Sequence, residues 1–501
     1  MEIGKVWLGG AGPGDIGLFT LKGKEVLSRA EVVVYDSLVG DGVLAMIPRE
    51  ARTIDVGKRA SHHTMPQEKI NQVLLEEAKK GYRVVRLKGG DPFLFGRGGE
   101  ELELLAEHHI PYEVVPGVTS PMAVPAYNGI PVTHRDFCSS VHIITGHKRA
   151  GQEYDIDFKA LVDTKGTLVF LMGVTALPDI CRSLLEAGME PDMPAAILQK
   201  GTTAGQKRIV ATVSTLEEEV KKQGIETPAI IVVGKVCSLA ERFEWAENLP
   251  LFGKKVLVTR PKGLISRMAA KLRVQGAEVL ELPAIETGAV KDDEKIKEAV
   301  NRLESYQWIA FTSPTGVNVF FDKIIELGKD LRCLGGIKIA AIGEGTKKAL
   351  KEHGLFADLI PQIYDGASLG AEMVKVCEPD AKILLPRASI GNHEILEALS
   401  ARSDLTVDDV PTYDTHYVTW NVLDETAKFE KSEIDCAVFT SASTVKGFVE
   451  ATKGLDYTKV TAACIGKQTK AAADRYGMKT YMAKKATIDS VVDLVTEILK
   501  S

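Results

Sequence analysis

The sequence predicts an α/β fold, and two observations support that prediction. Short β-prone apolar runs alternate with helix-like segments along all 501 residues, which is the pattern of strands covered by helices. Glycine-rich turns follow several of these runs, where α/β proteins commonly build binding sites. A break near residues 244–255, before a fresh strand at 256, divides the chain into two halves. The clearest predicted strands are 32–34, 84–85, 141–145, 167–171 and 230–233.

Composition narrows the classes of function. The chain is 45% hydrophobic and 26% charged, as in ordinary globular proteins, and its net charge of −6 indicates no nucleic-acid surface. No apolar run reaches the roughly 18 residues of a membrane span, and no signal-peptide pattern is present. Seven scattered cysteines without a CxxC pair predict neither disulfides nor zinc, so we expect a reduced, cytoplasmic protein. His62 and His63 have no third ligand at suitable spacing, so we expect no metal.

The first glycine turn, residues 9–15, follows the first predicted strand. It is similar to a dinucleotide-binding fingerprint, but Pro13 interrupts the pattern. Three interpretations stay open: a nicotinamide site, a tight strand-to-helix turn, or a binding turn of another type. The turn has no Walker lysine, which speaks against phosphoryl transfer.

The second glycine turn is the most informative segment. Gly89-Gly90-Asp91-Pro92 ends a β-prone run, and Gly96 to Gly99 follow at once. Glycine adds no side chain to a core and costs backbone entropy, so packing does not account for these glycines, and we expect main chain that passes close to a ligand. Asp91 can fix a ligand amine or hydroxyl there.

Asp36 ends a valine-rich strand, where it is either a turn residue or a functional group. Cationic clusters occur at 58–63, 134–135 and 147–149. Each alone is typical of a solvated surface. Because all three lie in the first half near strand ends, they also suit a ligand with several carboxylates.

The second half repeats itself. Segments 308–317 and 436–445 are similar, as are 339–346 and 462–469 and, more weakly, 258–261 and 385–388. Three matches in the same order predict two related α/β units that face each other across a cleft. The hydroxyl-bearing turns after these strands cap helices or contact an acidic ligand. Their candidate binding residues are Thr312, Ser313, Ser441 and Lys467.

The first half, about residues 3–245, resembles the tetrapyrrole methylases, most closely the uroporphyrinogen-III C-methyltransferases. The matching segments, in family order, are 10–15, 32–36, 56–59, 86–92, 115–119, 129–135, 145–147 and 167–173.

The resemblance implies a two-domain α/β fold that holds S-adenosylmethionine between its domains. Asp36 and Lys58 match positions with acid and base roles, although Lys58 could equally anchor a substrate carboxylate. Substrate carboxylates would be held by Arg59, His62, His134 and Arg135. The cofactor would be lined by Pro13, Gly89, Gly90, Asp91, Leu94, Thr119, Ser120, Met172 and Gly201.

The second half, about 253–501, resembles the uroporphyrinogen-III synthases, through the paired turns, Tyr413 and the internal duplication. We expect Tyr413 to be the acid for the leaving group. The implied fold is therefore a tetrapyrrole methylase followed by a two-lobed α/β synthase. The expected domains are 1–113 and 114–246 for the methylase, a linker at 247–253, and a synthase over 254–501 with interleaved lobes, 254–286 with 417–501, and 287–416.

The resemblance implies an enzyme that cyclises hydroxymethylbilane to uroporphyrinogen III and methylates it twice to precorrin-2. It also implies a homodimer through the methylase half, with no membrane or nucleic-acid partner. Alternatives are a methylase with a non-catalytic tetrapyrrole-binding second half, a nicotinamide oxidoreductase and a tetrapyrrole sensor. Whether the product feeds sirohaem, cobalamin or another branch is left open.

Overall fold

The protein is described by a computed structural model over residues 3–57, 65–146, 156–259, 262–290, 292–391, 393–419 and 422–500, with the backbone alone for 262–266. Lys58, Arg59 and His62 lie outside these residues. The strands are β1 Lys5–Gly10, β2 Val32–Tyr35, β3 Arg52–Asp55, β4 Arg83–Lys88, β5 Tyr112–Val115, β6 Val141–Thr145, β7 Thr167–Leu171, β8 Pro194–Gln199, β9 Lys207–Thr212, β10 Ala229–Val233, β11 Lys255–Val258, β12 Glu278–Glu281, β13 Ile285–Ala289, β14 Trp308–Phe311, β15 Lys338–Ala341, β16 Lys382–Ala388, β17 Thr406–Tyr417, β18 Cys436–Phe439, β19 Thr461–Cys464 and β20 Lys479–Met482.

Helices cover these strands throughout the described ranges. They are α1 Leu21–Ser28, α2 Asp41–Leu44, α3 Gln67–Lys79, α4 Gly98–Glu107, α5 Ser120–Tyr127, α6 Phe158–Asp163, α7 Leu177–Glu186, α8 Leu216–Gln223, α9 Lys262–Val274, α10 Glu294–Asn301, α11 Pro314–Glu326, α12 Glu344–Glu352, α13 Gly366–Val376, α14 Glu394–Leu399, α15 Glu425–Glu430, α16 Ala442–Ala451, α17 Lys467–Asp474 and α18 Ile488–Leu499. No described helix combines the length and apolar character that crossing a bilayer requires.

The described strands form four five-stranded sheets, which confirms the predicted α/β class. The first sheet has the order β3-β2-β4-β1-β5 and is wholly parallel. The second, β6-β7-β10-β8-β9, is mostly antiparallel. Strands β2, β7 and β10 are buried along their whole length, because helices or loops cover both faces.

The second half contains the other two sheets. One has the parallel order β12-β11-β18-β19-β20, and the other has the order β13-β17-β16-β14-β15. The three repeated sequence segments fall on equivalent strands of the two sheets, since β11-β18-β19 in one corresponds to β16-β14-β15 in the other. The sequence repeat therefore corresponds to three strands that occupy the same relative positions in both sheets.

The connection between the halves is packed. The Trp245 indole donates to the Ala126 carbonyl (3.0 Å) in the first half. The buried Leu251 donates its amide to Gln275 (2.8 Å) in the second. The halves are thereby docked against each other through this segment.

Candidate functional site

Three glycine loops of the first sheet touch one another through their backbones. The amide of Gly12 donates to the carbonyl of Gly90 (3.2 Å), and the amide of Gly90 donates back (2.8 Å). Any other residue type at Gly117 or Gly10 would clash with the Gly90 oxygen, because an added Cβ would stand 2.2 Å from it at Gly117 and 2.6 Å from it at Gly10. Only glycine permits such an approach. The ends of β1, β4 and β5 are therefore joined into one platform, the glycine platform, consisting of residues 10–13, 89–91 and 117–120.

Asp91 ties this platform together. One of its carboxylate oxygens accepts from the Phe93 amide (2.8 Å) and the other from the Gly117 amide (3.0 Å). Its first role is thus to fix the loop after β5 to the loop after β4. A carboxylate has about four acceptor positions, so two remain for a ligand.

The packing of the second glycine cluster corrects one expectation. A Cβ on Gly96 or Gly98 would lie 2.6 or 2.5 Å from the Pro92 oxygen, and one on Gly89 would lie 2.5 Å from Leu38 Cβ. The interpretation that these glycines have no packing role is therefore wrong. They allow the turn to fold tightly on itself.

Candidate cofactor residues from different loops meet at α5. An added Cβ on Gly90 would stand 3.9 Å from atoms of Thr119 and Ser120, which begin that helix. Gly201, from the second sheet, packs against Val124 in the same helix, at 2.3 Å for an added Cβ. Pro13 follows Gly12 in the platform. The first and second sheets therefore approach each other here.

Leu94 and Met172 are less closely tied to this group, because no hydrogen bond or glycine contact of the described residues links either one to it. Met172 follows β7, is 52% exposed and has a φ of 55°. Positive φ also occurs in neighbouring loops, at Phe95, Arg97, Lys200 and Thr202. Such backbone costs about 1–3 kcal/mol per residue and clusters at ligand sites.

The contacts of Asp36 fit both interpretations from the sequence, a turn residue and a functional group. One oxygen accepts from the Leu38 amide (3.1 Å), as in a turn, and the other lies 3.3 Å from the Arg86 guanidinium. Arg86 is buried on the adjacent strand β4. Asp36 therefore has a fixed orientation and a cationic partner, which suits an acid or base role.

Behind Asp36 lies a buried ion cluster that the sequence analysis missed. Glu101, in α4, is fully buried and accepts from Arg86 (3.2 Å) and from Lys88 (2.7 Å). Burial, followed by the Arg86 charge, lowers the pKa of Lys88. The second Glu101 oxygen is buried without a hydrogen-bond partner among the described residues. Glu101 stands among other acidic residues in the sequence, and nothing local distinguishes it from an exposed helical charge.

Two of the remaining basic candidate residues in the first half, His134 and Arg135, lie in the described part of the chain. His134 accepts the Asp136 amide (3.2 Å), and its ring packs on Phe137 at 4.9 Å. Arg135 is exposed.

In the second half the structure brings Tyr413 and Ser313 together, at 2.9 Å between hydroxyl oxygens. Ser313 caps α11, as predicted, by accepting the Gly316 amide (2.9 Å), and Thr312 precedes it. Tyr413 is 8% exposed, and burial raises its pKa against the opposing effect of Ser313. Its hydroxyl therefore keeps its proton at neutral pH.

Ser441 and Lys467 lie at the corresponding edge of the other sheet. Ser441 caps α16 and Lys467 begins α17, so they follow the adjacent strands β18 and β19. The Gln468 amide donates to Glu394 (2.8 Å), and this contact links α17 to α14, which belongs with the other sheet. This contact brings the loop edge of one sheet close to a helix of the other.

Comparisons with known proteins assign both halves. A family model described as Tetrapyrrole (Corrin/Porphyrin) Methylases matches residues 5–217, and one described as Uroporphyrinogen-III synthase HemD matches residues 266–493. These matches confirm both resemblances.

Individual proteins are similar to one or both halves. The porphyrin biosynthesis protein HemD of Ruminiclostridium josui is 48% identical over 99% of both chains. A siroheme synthase of Enterobacter sp. (strain 638) is 52% identical over 49% of this chain and 53% of its own length. The crystal structure of a Thermus thermophilus uroporphyrin-III C-methyl transferase, complexed with S-adenyl homocysteine, is 39% identical over 47% of this chain and 99% of its own, with a TM-score of 0.41.

Proposed function

We propose two consecutive reactions for this chain, which belongs to the porphyrin biosynthesis protein HemD family and joins a tetrapyrrole methylase domain to a uroporphyrinogen-III synthase domain. The second half closes hydroxymethylbilane to uroporphyrinogen III. The first half methylates that product twice with S-adenosylmethionine to give precorrin-2. The observation that carries the proposal is the presence of both domains in one chain, because the product of one is the substrate of the other.

The glycine platform fits the methyl donor. At Gly90 an added Cβ would be in ordinary van der Waals contact with Thr119 and Ser120, at 3.9 Å, so this backbone is packed less tightly than that of Gly10 and Gly117. Bound there, S-adenosylmethionine supplies a methyl group on a sulfonium. Pro13, Gly89, Asp91 and Gly201 would hold it, with Leu94, Thr119, Ser120 and Met172 completing the site. Orienting the methyl against a pyrrole carbon can supply roughly 7–11 kcal/mol.

Methylation also requires a proton to leave the ring after the new carbon–carbon bond forms. Asp36 is assigned to this proton, with Arg86 fixing its carboxylate at 3.3 Å. Lys58, outside the described residues, is assigned the complementary acid role or a substrate carboxylate. Arg59, His62, His134 and Arg135 are assigned to the acetate and propionate groups.

Ring closure begins with loss of a hydroxyl from the linear substrate. Tyr413 is assigned as the acid that protonates it, since burial keeps the phenol protonated and Ser313 holds it at 2.9 Å. Thr312, Ser313, Ser441 and Lys467 are assigned to the substrate across the cleft.

The domain boundaries belong to this proposal: 1–113, 114–246, a linker at 247–253, and a synthase with lobes 254–286 plus 417–501 and 287–416. The strand membership of the last two sheets supports the lobe division to within two residues, because β11, β12 and β18–β20 share one sheet and β13–β17, which span 285–417, share the other. We further propose a cytoplasmic homodimer formed through the methylase half.

Incubation of the pure chain with hydroxymethylbilane and S-adenosylmethionine tests the proposal, and we expect a coloured methylated product. Asp91→Ala should reduce methylation at least about 100-fold, because it releases the Gly117 loop, while ring closure stays unchanged. Glu218→Ala, on the exposed face of α8, is the control. Equal loss of both activities in a folded Asp91→Ala protein contradicts the assignment. A product formed only from preformed uroporphyrinogen III would indicate a methylase with a non-catalytic second half.

A further inference from the structure

A chain of polar contacts crosses from the synthase half to two turns of the methylase half. The Lys255 ammonium lies 2.6 Å from Asp41 in α2 and 2.8 Å from Glu278 in β12. Glu278 accepts, with its other oxygen, the amide of Ala204 (2.8 Å). We call the pair Lys255–Glu278 the interdomain link, because it fastens residue 41 and residue 204 to the same sheet.

Both fastened turns touch the first glycine loop. A Cβ added to Gly40, beside Asp41, would stand 2.9 Å from the Gly14 oxygen. A Cβ added to Gly14 would stand 2.5 Å from Thr203 Cγ2, beside Ala204. Asp15 also donates its amide to Thr202 (3.2 Å). Gly14 is therefore held between two turns, and each of those turns is held by the interdomain link.

The same turns contain or abut assigned cofactor residues. Gly201 begins the turn that ends at Ala204, and Pro13 directly precedes Gly14. Leu38 packs against Gly89, since a Cβ added to Gly89 would stand 2.5 Å from Leu38 Cβ. A shift of either turn by a few tenths of an ångström would thus reach the glycine platform.

The link is strong enough to matter. The side chains of Lys255, Asp41 and Glu278 are 12%, 19% and 23% exposed, and Lys428 adds a second cation 2.7 Å from Asp41. Burial disfavours ionised Asp41, but the two lysines outweigh it and lower the pKa of the carboxyl. Removing one member of a mostly buried set leaves an uncompensated charge, which costs more than breaking an exposed pair.

A cavity of about 180 Å³ lies beside the link, lined by Gly14, Asp15 and Thr203 from one half and by Arg273 and Glu278 from the other. Because protein interiors are otherwise close-packed, this space lets the turns relax when the link is broken.

We propose that Lys255 and Glu278 of the synthase half are positioning residues for the methyl-donor site, so that donor affinity depends on the docking of the two halves. This inference rests on the proposed function, because it takes the ligand of the glycine platform to be S-adenosylmethionine.

Calorimetric titration of the full chain with S-adenosylhomocysteine tests this. We expect Lys255→Met and Asp41→Asn each to raise the Kd about fivefold or more. The double variant should be within about twofold of the weaker single variant, since both changes break the same contact between Asp41 and Lys255. Arg49→Gln is the matched control, because Arg49 also pairs across the halves, with Glu286 at 2.8 Å, but contacts neither turn.

Hydrogen exchange gives a second readout that a general loss of stability would not localise. Peptides covering 200–206 should exchange faster in Lys255→Met and at the unaltered rate in Arg49→Gln, with ring closure within about twofold in both. A Kd for Lys255→Met within twofold of the unaltered chain, or an equal weakening by Arg49→Gln, overturns the inference and leaves the proposed function intact. If S-adenosylhomocysteine does not bind to the unaltered chain, both the inference and the proposed function are contradicted.

Discussion

Glu101 shows how a single residue can organise a site without facing it. Its fully buried carboxylate meets Arg86 and Lys88, and Arg86 in turn reaches Asp36. Two cations therefore share one buried anion, with Asp36 at the margin. The orientation of the assigned base depends on a residue that never contacts solvent.

We expect Glu101→Gln to lower the free energy of unfolding by about 3–5 kcal/mol, because it leaves two buried cations with too little negative charge. Urea unfolding followed by circular dichroism measures this. Glu100→Gln is the control, since Glu100 pairs with exposed Arg97 and should change the value by no more than about 1 kcal/mol. Similar shifts in the two variants would show that the cluster does not stabilise the fold.

Tyr413 is the second residue whose surroundings determine its chemistry. Tyr413→Phe should slow ring closure about 100-fold, the size of effect expected for a general acid, and leave methylation unchanged. Tyr417→Phe, on the same strand but 47% exposed, should alter neither rate. An unchanged ring-closure rate in Tyr413→Phe would exclude the phenol as the acid.

At the scale of elements, the ends of parallel strands carry the candidate chemistry in both halves. Glycine loops follow β1 and β4, whereas serine caps follow β14 and β18. Glycines allow backbones to approach within hydrogen-bonding distance, and serine hydroxyls accept hydrogen bonds from the free amides at helix N-termini. One strand-to-helix geometry thus serves two kinds of site.

Helix α15 contains a buried carboxyl group whose contribution to the stability of the protein should depend on pH. Glu425, in its first turn, is 7% exposed, and burial, then the Asp424 charge, raises its pKa to about 7. A helix N-terminus favours negative charge, but here burial outweighs that effect. The folded chain therefore binds this proton more tightly than the unfolded chain does.

The stability associated with the Glu425 proton is fully present below about pH 4.5 and is lost as the pH rises through about 7. Glu425→Gln should therefore raise the free energy of unfolding by about 2 kcal/mol more at pH 8 than at pH 5. Denaturant midpoints at the two pH values measure the difference. Glu430→Gln, at the exposed end of α15, is the control. A pH-independent effect of Glu425→Gln would contradict the assignment.

At the scale of the whole molecule, the synthase half is docked directly on turns beside the glycine platform. Asp41, Lys255 and Glu278 form this contact, and Val43, Leu44 and Leu280 of the two halves share one buried apolar cluster. Such docking holds the two halves in one arrangement, and we propose that the intermediate of the proposed reactions passes directly from one half to the other.

We expect direct passage to appear in an isotope-dilution experiment. The chain is supplied with labelled hydroxymethylbilane, S-adenosylmethionine and an excess of unlabelled uroporphyrinogen III. Early methylated product should carry more label than the mixed pool. A mixture of Asp91→Ala and Tyr413→Phe chains, in which the two activities reside on separate molecules, is the control. Equal label in product and pool for the unaltered chain would show that the intermediate is released.

Local pattern is sufficient to predict strands such as those at 32–34 and 167–171, the glycine turns and, as one of two interpretations, the caps at Ser313 and Ser441, because each depends on residues that are neighbours along the chain. The repeat at 308–317 and 436–445 likewise survives in sequence, since both copies keep the same strand and turn.

The buried cluster at Glu101 and the link at Lys255 depend instead on the packing of distant elements. Lys255 and Asp41 are 214 residues apart, and nothing near either one indicates its partner. Charge pairing of this kind follows from sheet order and domain docking, because a side chain's electrostatic partners are set by distance in space and by exclusion of water. Tertiary packing alone therefore determined which of the many charged residues became buried and paired.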